Sequence, residues 1–329
     1  MRIGLVGIGR IGAVHAETLR GLGGVDELLV ADAVPARARQ VAGATAVDSA
    51  DELFASGLDA VVIAAPTSSH AELISAAASA GLPVFCEKPV APDVESARAV
   101  LARVRAAGVP LQIGFQRRFD PGFAALREAV LSGRLGWLHT LRACTSDPAP
   151  PPASFVATSG GIFRDLCLHD FDAIRWVTGR EVARVHAAGS NRGEPFFGDA
   201  GDVDTAAAIL TLDDGTLAVC TATRYNGAGY DVRLEVSGSA GTLVAGLDDR
   251  APLSPSSPSS APARARPYLD FADRFRSAYA AELAAFLEVA AGRAPSPCTG
   301  EEALAAQLVA EAADRSRRSG RPVDLAEVG

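Results

Sequence analysis

What this chain lacks narrows it first. Its five cysteines, Cys86, Cys144, Cys167, Cys220 and Cys298, are odd in number and scattered, and none stands in a CxxC or in a His/Cys group with zinc spacing. Neither a disulfide framework nor a structural metal is therefore expected, and reduced thiols in a cytoplasm are the simplest reading. No apolar run approaches the roughly 18 residues of a membrane span. No segment reads as a signal peptide, because the first strand begins almost at once and runs into glycines and charge. Positive charge is also short: 31 Lys and Arg against 39 Asp and Glu give a formal net charge of -8. A nucleic-acid footprint needs clustered Lys and Arg, so no nucleic-acid partner is expected, and no membrane partner either.

What is present is the composition of a globular protein, 48% hydrophobic and 21% charged over 329 residues, about twice the usual domain length. The predicted fold class is α/β, in two domains. Over residues 1–118, short apolar strands at Ile3–Val6, Leu28–Asp32, Ala60–Ala64, Pro83–Cys86 and Leu111–Gly114, with a weaker one near Ala44–Val47, alternate with helical segments at Arg10–Leu22, His70–Ala80 and Asp93–Ala107. Strands apolar on both faces and separated by helices indicate a doubly wound parallel sheet of the Rossmann kind. Over residues 119–329 the pattern changes to strand-like runs at Trp137–Thr145, Val182–Ala188, Thr205–Leu212, Leu217–Thr223, Asp231–Val236 and Thr242–Ala245. Asp214-Gly215 is a hairpin signal between two of them. This half reads as an α+β domain with a large, mostly antiparallel open sheet. Pro252–Pro267 reads as a Ser/Pro-rich loop, and helices are expected near Tyr268–Ala291 and Gly300–Ser319.

Gly7-Ile8-Gly9-Arg10-Ile11-Gly12 fits GxGxxG, follows a strand, opens a helix, and is trailed by Asp32 at the end of the next strand. That is the full context of a dinucleotide site. Gly7 serves the tight turn, Gly9 the approach of the pyrophosphate and Gly12 the packing of helix on strand; the helix N-terminus offers N–H groups to the phosphates. Asp32 accepts the ribose hydroxyls of NAD and would oppose a 2′-phosphate. Ala33-Val34-Pro35 places no cation immediately beside it, so NAD is expected rather than NADP. Ligands in such sheets lie across the carboxyl ends of the strands. The strands ending at Ala65-Pro66-Thr67 and at Glu87-Lys88 are then expected to flank the nicotinamide half, with His70 near the cofactor.

Lys88 ends an apolar strand at Glu87-Lys88-Pro89, a placement suited to holding an ammonium at the mouth of the sheet. Arg117 or Arg118 is expected at the same edge. A second constellation lies at Gly160-Gly161…Asp165…His169-Asp170-Phe171-Asp172. A helix from Asp165 to Val177 would put Asp165, His169 and Asp172 on one polar face, where a carboxylate can orient an imidazole for acid/base work. His15 is expected to pack or bond within the first helix. Tyr225 and Tyr230 flank a Gly-rich turn.

These motifs occur in the order found in the glucose–fructose oxidoreductase/inositol dehydrogenase family (Gfo/Idh/MocA), and the chain resembles that family over essentially its whole length. It looks most like the bacterial inositol 2-dehydrogenases, whose loop before the double glycine is similar to Asp147-Pro148-Ala149-Pro150-Pro151. Thr299-Gly300 departs from the family's usual Asp-Gly. The resemblance implies NAD between the two domains, a cyclitol or sugar as the small polyhydroxylated substrate, and a cytoplasmic homodimer or homotetramer built through the second domain. It implies Lys88, Asp165 and His169 as the catalytic triad, with Arg117, Asp147, Asp172 and Tyr225 toward the substrate. The implied reaction is NAD-dependent oxidation of a secondary ring hydroxyl to a ketone. His169 or, alternatively, Lys88 accepts the proton. A ketosugar reductase or other sugar dehydrogenase on the same triad is the nearest rival, and a non-catalytic dinucleotide sensor the more distant one.

Overall fold

The computed structural model describes residues 1–254 and 265–329, and the chain divides into two units: Met1–Phe119 with Ser277–Ala305, and Asp120–Arg276 with Ala306–Gly329. Residues 255–264, the greater part of the loop expected over Pro252–Pro267, lie outside the described residues.

The first unit carries β1 (Arg2–Val6), β2 (Glu27–Ala31), β3 (Thr45–Ala46), β4 (Ala60–Ile63), β5 (Val84–Glu87) and β6 (Leu111–Gly114). They form one parallel sheet in the order β3-β2-β1-β4-β5-β6. The order reverses beside β1, so the carboxyl ends of β1 and β4 define the switch point at which such sheets bind ligands. The central strands are mainly apolar on both faces because helices cover both, among them Arg10–Gly21, His70–Ser79 and Val94–Ala107. The last of these starts where the Asp93 side chain accepts the Ser96 N–H at 2.8 Å and stops at Gly108, whose φ of 68° suits glycine.

The helix Arg276–Ala290 is far away in sequence, yet Leu283, Phe286, Leu287 and Val289 join the core of Leu5, Val30, Val62 and Phe85. Each such side chain contributes about 1.5–3 kcal/mol on burial, in total comparable with the stability of an ordinary domain. The helical stretch expected from Tyr268 is divided, with Phe271–Arg274 and Arg276–Ala290 separated at Phe275.

The second unit carries β7 (Leu138–Ser146), β8 (Val182–Ser190), β9 (Thr205–Leu212), β10 (Leu217–Thr223), β11 (Asp231–Gly238), β12 (Gly241–Ala245) and β13 (Val323–Asp324). The sheet order is β12-β11-β7-β10-β9-β8-β13, antiparallel except for the parallel pair β7–β10. β9 and β10 are joined by the expected hairpin, with Gly215 at φ 88° and the Leu212 N–H donating to the Thr216 carbonyl at 2.9 Å. Alternate residues of β9 and β10 face in and out. Inward, Ala206, Ala208, Leu210, Ala218, Cys220 and Ala222 are buried, and the helix Cys167–Thr178 packs on this side.

Replacing Phe286, fully buried against Phe85 at 5.7 Å between ring centroids, by alanine is expected to cost about 3–5 kcal/mol. Chemical denaturation checks it: a loss below 1 kcal/mol would mean that this helix is dispensable to the first unit.

Candidate active site

The glycine loop is built by steric exclusion. Gly7 has φ 93°, and a Cβ there would sit 2.6 Å from the Ala65 backbone nitrogen, while a Cβ on Gly12 would overlap the Gly7 carbonyl oxygen. Gly9 differs: nothing lies within 4 Å of its Cβ position, and it caps the helix Arg10–Gly21 with no side-chain hydrogen bond and no acid in the first turn. An uncapped helix start opening onto empty space is what a pyrophosphate requires. Asp32 is fastened into the same loop: Oδ2 accepts the Ile8 N–H at 2.6 Å and Oδ1 the Val34 N–H at 2.8 Å. Each oxygen keeps a lone pair for a ribose hydroxyl. The expectation that no cation stands immediately beside Asp32 needs one amendment: Arg37 Nη1 lies 3.9 Å from Oδ1, on a side chain 57% exposed, where such a pair contributes little. The residues present fit NAD.

The ends of β4, β5 and β6 bring the next set to one edge of the sheet. Pro66 and Thr67 lead through the short turn Thr67–Ser69 into the helix His70–Ser79. His70 is buried with Nδ1 2.7 Å from the Pro89 carbonyl oxygen and Nε2 2.9 Å from that of Ala65. Burial lowers its pKa despite these two acceptors. Both ring nitrogens thus face backbone, and the ring clips the end of β4 to the segment after Lys88. Lys88, at half-buried depth, follows β5 directly. Arg117 is buried on the turn Gln116–Phe119 that follows β6. Arg118 points elsewhere in this unit, with Nη1 3.0 Å from Glu302 Oε1 and 2.9 Å from the Pro297 carbonyl oxygen. Of the two alternatives for His15, packing holds and bonding within its helix does not: the ring is fully buried, and its Nε2 lies 2.7 Å from Glu87 Oε1 on β5.

In the second unit the parallel pairing of β7 with β10 places both strand ends side by side. The Asp147 N–H donates to the Thr223 carbonyl at 3.0 Å, and the Asn226 N–H to that of Asp147 at 2.8 Å. Arg224, only 2% exposed, donates from Nη1 to Asp147 Oδ2 at 3.1 Å and from Nη2 to Asp165 Oδ2 at 2.8 Å. Burial opposes its charge, but Asp165 and Asp147 outweigh burial and hold its pKa above the usual arginine range. Arg224 did not emerge from the sequence, although a signal was there. It continues the inward parity of Ala218, Cys220 and Ala222, and an arginine on the buried face of a strand must find carboxylates.

Asp165 closes the short helix Ile162–Asp165, which begins after Gly160 and Gly161 at φ 79° and 92° and is anchored by Asp202 Oδ1 accepting the Ile162 N–H at 3.0 Å. The continuous helix expected from Asp165 to Val177 is interrupted at Leu166; a second helix runs Cys167–Thr178, with the His169 N–H on the Leu166 carbonyl at 3.3 Å. The expected polar face is divided too. Asp165 and His169 are half-buried, whereas Asp172 is fully buried, because the second helix is covered on almost every side. Tyr225 remains 38% exposed. Its hydroxyl oxygen accepts the Glu194 N–H at 3.0 Å and its ring packs on Gly193, so it holds the loop before the helix Phe196–Asp199 while keeping its own O–H to donate.

With this geometry in view, the comparisons with known proteins are consistent along the chain. Residues 1–115 match the model described as "Oxidoreductase family, NAD-binding Rossmann fold", and residues 123–244 that described as "GFO/IDH/MocA C-terminal domain". The chain is 44% identical over 326 residues to a protein of Streptomyces leeuwenhoekii named myo-inositol dehydrogenase Hyg17, covering 97% of this chain and 98% of that one. A solved myo-inositol dehydrogenase from Corynebacterium glutamicum superposes with a TM-score of 0.90 at 36% identity, covering 99% of this chain and 98% of that one. A scyllo-inositol dehydrogenase from Lactobacillus casei, solved with bound NAD(H) and scyllo-inositol, gives 0.89 at 31% identity, covering 99% of each chain.

Substituting Arg224 by methionine removes the buried guanidinium that bridges Asp147 and Asp165. Breaking a buried pair costs about 3–5 kcal/mol, and the residual exposure of Asp147 and Asp165 places the expected loss at the lower end. Thermal unfolding checks it, and a melting temperature equal to wild type would show that the array carries no stability.

Proposed function

This chain belongs to the GFO/IDH/MocA oxidoreductase family, and we propose that it oxidises a secondary ring hydroxyl of a cyclitol, myo-inositol or a close relative, to the ketone with NAD. The observation that supports this most is full-length likeness to inositol dehydrogenases, one of them solved with both NAD(H) and scyllo-inositol. It stands beside a glycine cradle and an Asp32 that fit NAD. The first unit is read as the cofactor-binding part. Gly7 to Gly12 and Asp32 hold the dinucleotide, with Pro66, Thr67, Glu87 and Lys88 toward its reactive end and His70 supporting that edge through backbone. The second unit is read as the substrate-binding and oligomerisation part.

When bound, the nicotinamide supplies the acceptor for the hydride that leaves the substrate carbon. The protein's work is to take the proton and steady the charge. His169 removes the hydroxyl proton, and Lys88 donates a hydrogen bond to the oxygen as it becomes negative. Asp165 favours the imidazolium that forms. One Asp165 oxygen is engaged by Arg224, so its carboxylate is fixed in direction before substrate arrives. Arg117, Asp147 and Tyr225 are read as contacts to substrate hydroxyls. Asp172, fully buried in its helix, is read as supporting that set from behind.

Assembly is read from the outer face of the second-unit sheet. Ile209, Leu217 and Val219 are exposed there on neighbouring strands, around a shallow trough of small residues including Ala188, Thr205, Ala207 and Thr221. A contiguous apolar face of this kind is suited to a second copy of the chain. All five cysteines are free, and no helix among the described residues is long and apolar enough to cross a membrane; a cytoplasmic location is proposed on the thiols.

Replacing His169 by alanine is expected to lower kcat by roughly 10²–10⁴-fold while NAD still binds, read by absorbance at 340 nm and by cofactor titration. Unchanged turnover removes His169 from the mechanism. Assayed on myo-inositol, scyllo-inositol, glucose and ketosugars, the wild type is expected to prefer a cyclitol; preference for a ketosugar would replace the substrate assignment. Exchanging Ile209 and Val219 together for lysine is expected to turn an oligomer into a monomer in light scattering, and an unaltered mass would move the interface elsewhere.

A further inference from the structure

His15 is a buried titratable group that the proposed chemistry does not use. It lies on the helix Arg10–Gly21, whose first turn is the phosphate cradle, and its ring is fully buried. Phe85 of β5 and Tyr279 of the helix Arg276–Ala290 meet it edge-on, at 5.6 and 5.7 Å between ring centroids. Nε2 lies 2.7 Å from Glu87 Oε1, while Nδ1 is buried with no hydrogen-bond partner. A position that needed only packing would hold an apolar side chain at no such cost, because a buried nitrogen left without a partner is unfavourable. The carboxylate it meets is itself expensive at a strand end, and room has been made for it. A Cβ on Gly114, the residue paired with Glu87 across β5 and β6, would stand 3.2 Å from Glu87 Oε2. Tyr279 in turn receives the Gln116 side-chain N–H on its hydroxyl at 3.1 Å, so the helix behind the pair is also fastened to the end of β6.

We propose that His15 is a positioning residue for Lys88, acting through Glu87. The inference rests on the reading of Lys88 as the group that steadies the substrate oxygen. Glu87 is the last residue of β5 and Lys88 leaves the strand directly after it. Anchoring the Glu87 side chain therefore sets the direction in which the lysine departs. The anchor belongs to the helix whose N-terminus receives the pyrophosphate. One hydrogen bond thus makes the cofactor cradle and the lysine-bearing strand end a single rigid block, which is how a group is held ready for a reacting atom.

The experiment compares His15→Leu, His15→Gln and Lys88→Met with wild type. It reads NAD affinity by fluorescence titration and kcat and KM for the preferred cyclitol. Leucine keeps the volume and loses the bond; glutamine puts a donor close to the position of Nε2. H15L is expected to lose kcat by roughly 10²-fold, with NAD affinity within about twofold of wild type, and H15Q is expected to regain most of that loss. Wild-type kcat in H15L, with K88M inactive, overturns the role of His15 alone. Equal loss in H15L and H15Q accompanied by lost NAD binding also overturns it, in favour of a purely structural histidine. An active K88M overturns the reading of Lys88 itself. If H15L does not fold, Glu87→Gln takes its place: it keeps the shape and weakens the anchor. A kcat loss in E87Q with NAD binding intact supports the proposal, and wild-type kcat there overturns it.

Discussion

A guanidinium sealed between two carboxylates is the constraint on which the second unit's polar edge depends. Arg224 cannot leave its place without withdrawing its charge from both Asp147 and Asp165, and they cannot turn away without stranding a charge that is almost wholly out of water. Pairs of this kind add little to stability relative to apolar packing, but they tolerate few geometries. That property is useful where two carboxylates from different elements, one after β7 and one at the end of a single helical turn, must point in fixed directions. The parallel pairing of β7 and β10 makes the arrangement possible, since it alone brings both strands' carboxyl ends to one edge. An antiparallel pair would have sent Asp147 and Arg224 to opposite ends of the sheet.

The first unit reaches rigidity by another route, mostly through atoms that are missing. The glycine loop works because Cβ atoms are absent at Gly7 and Gly12, where they would collide with backbone, and at Gly9, where one would fill the approach to the helix start. Asp32 then closes the loop from the side by accepting the Ile8 N–H. The acid that fits a ribose hydroxyl also holds the glycine turn, so the two parts of this loop are not independent. Exchanging Asp32 to favour a 2′-phosphate would release Ile8 as well as remove a like charge.

Much of this was legible in the sequence where the determinants are local. Gly7 to Gly12, Asp32 and the strand ending in Glu87-Lys88 are each fixed by short-range sterics and by alternation of strand with helix, and their positions follow from spacing alone. The strands of the second unit were legible for a similar reason, since period-two burial is written directly into β9 and β10. What could not be read was set by distant contact. His15 and Glu87 are 72 positions apart, and nothing near either residue distinguishes that pair from a helix histidine and a surface glutamate. The docking of Arg276–Ala290 into the first unit's core and the break at Leu166 are decided by packing, which overrides a helical pattern that reads as continuous. Arg224 lies between these cases: its parity was visible, but its two partners were not.

Buried polar groups are unevenly distributed in the first unit. In the first unit, Asp32 is tied to the glycine turn, His70 to the carbonyls of Ala65 after β4 and Pro89 after Lys88, and Glu87 to a histidine that leaves its own Nδ1 unpaired. All three lie at the carboxyl edge of the parallel sheet or lean on it. A sheet apolar on both faces needs no such groups for stability, and each is more costly to bury than the leucine or valine that could replace it. Their concentration at one edge, with Gln112 of β6 a polar side chain buried within the sheet itself, is the pattern of a surface held rigid for a ligand rather than of a core closed against water. On that basis the residues fixed along this edge say as much about the role of Lys88 as the lysine does. An ammonium meant only for solvent would not need its strand end fixed to the helix that the glycine loop opens.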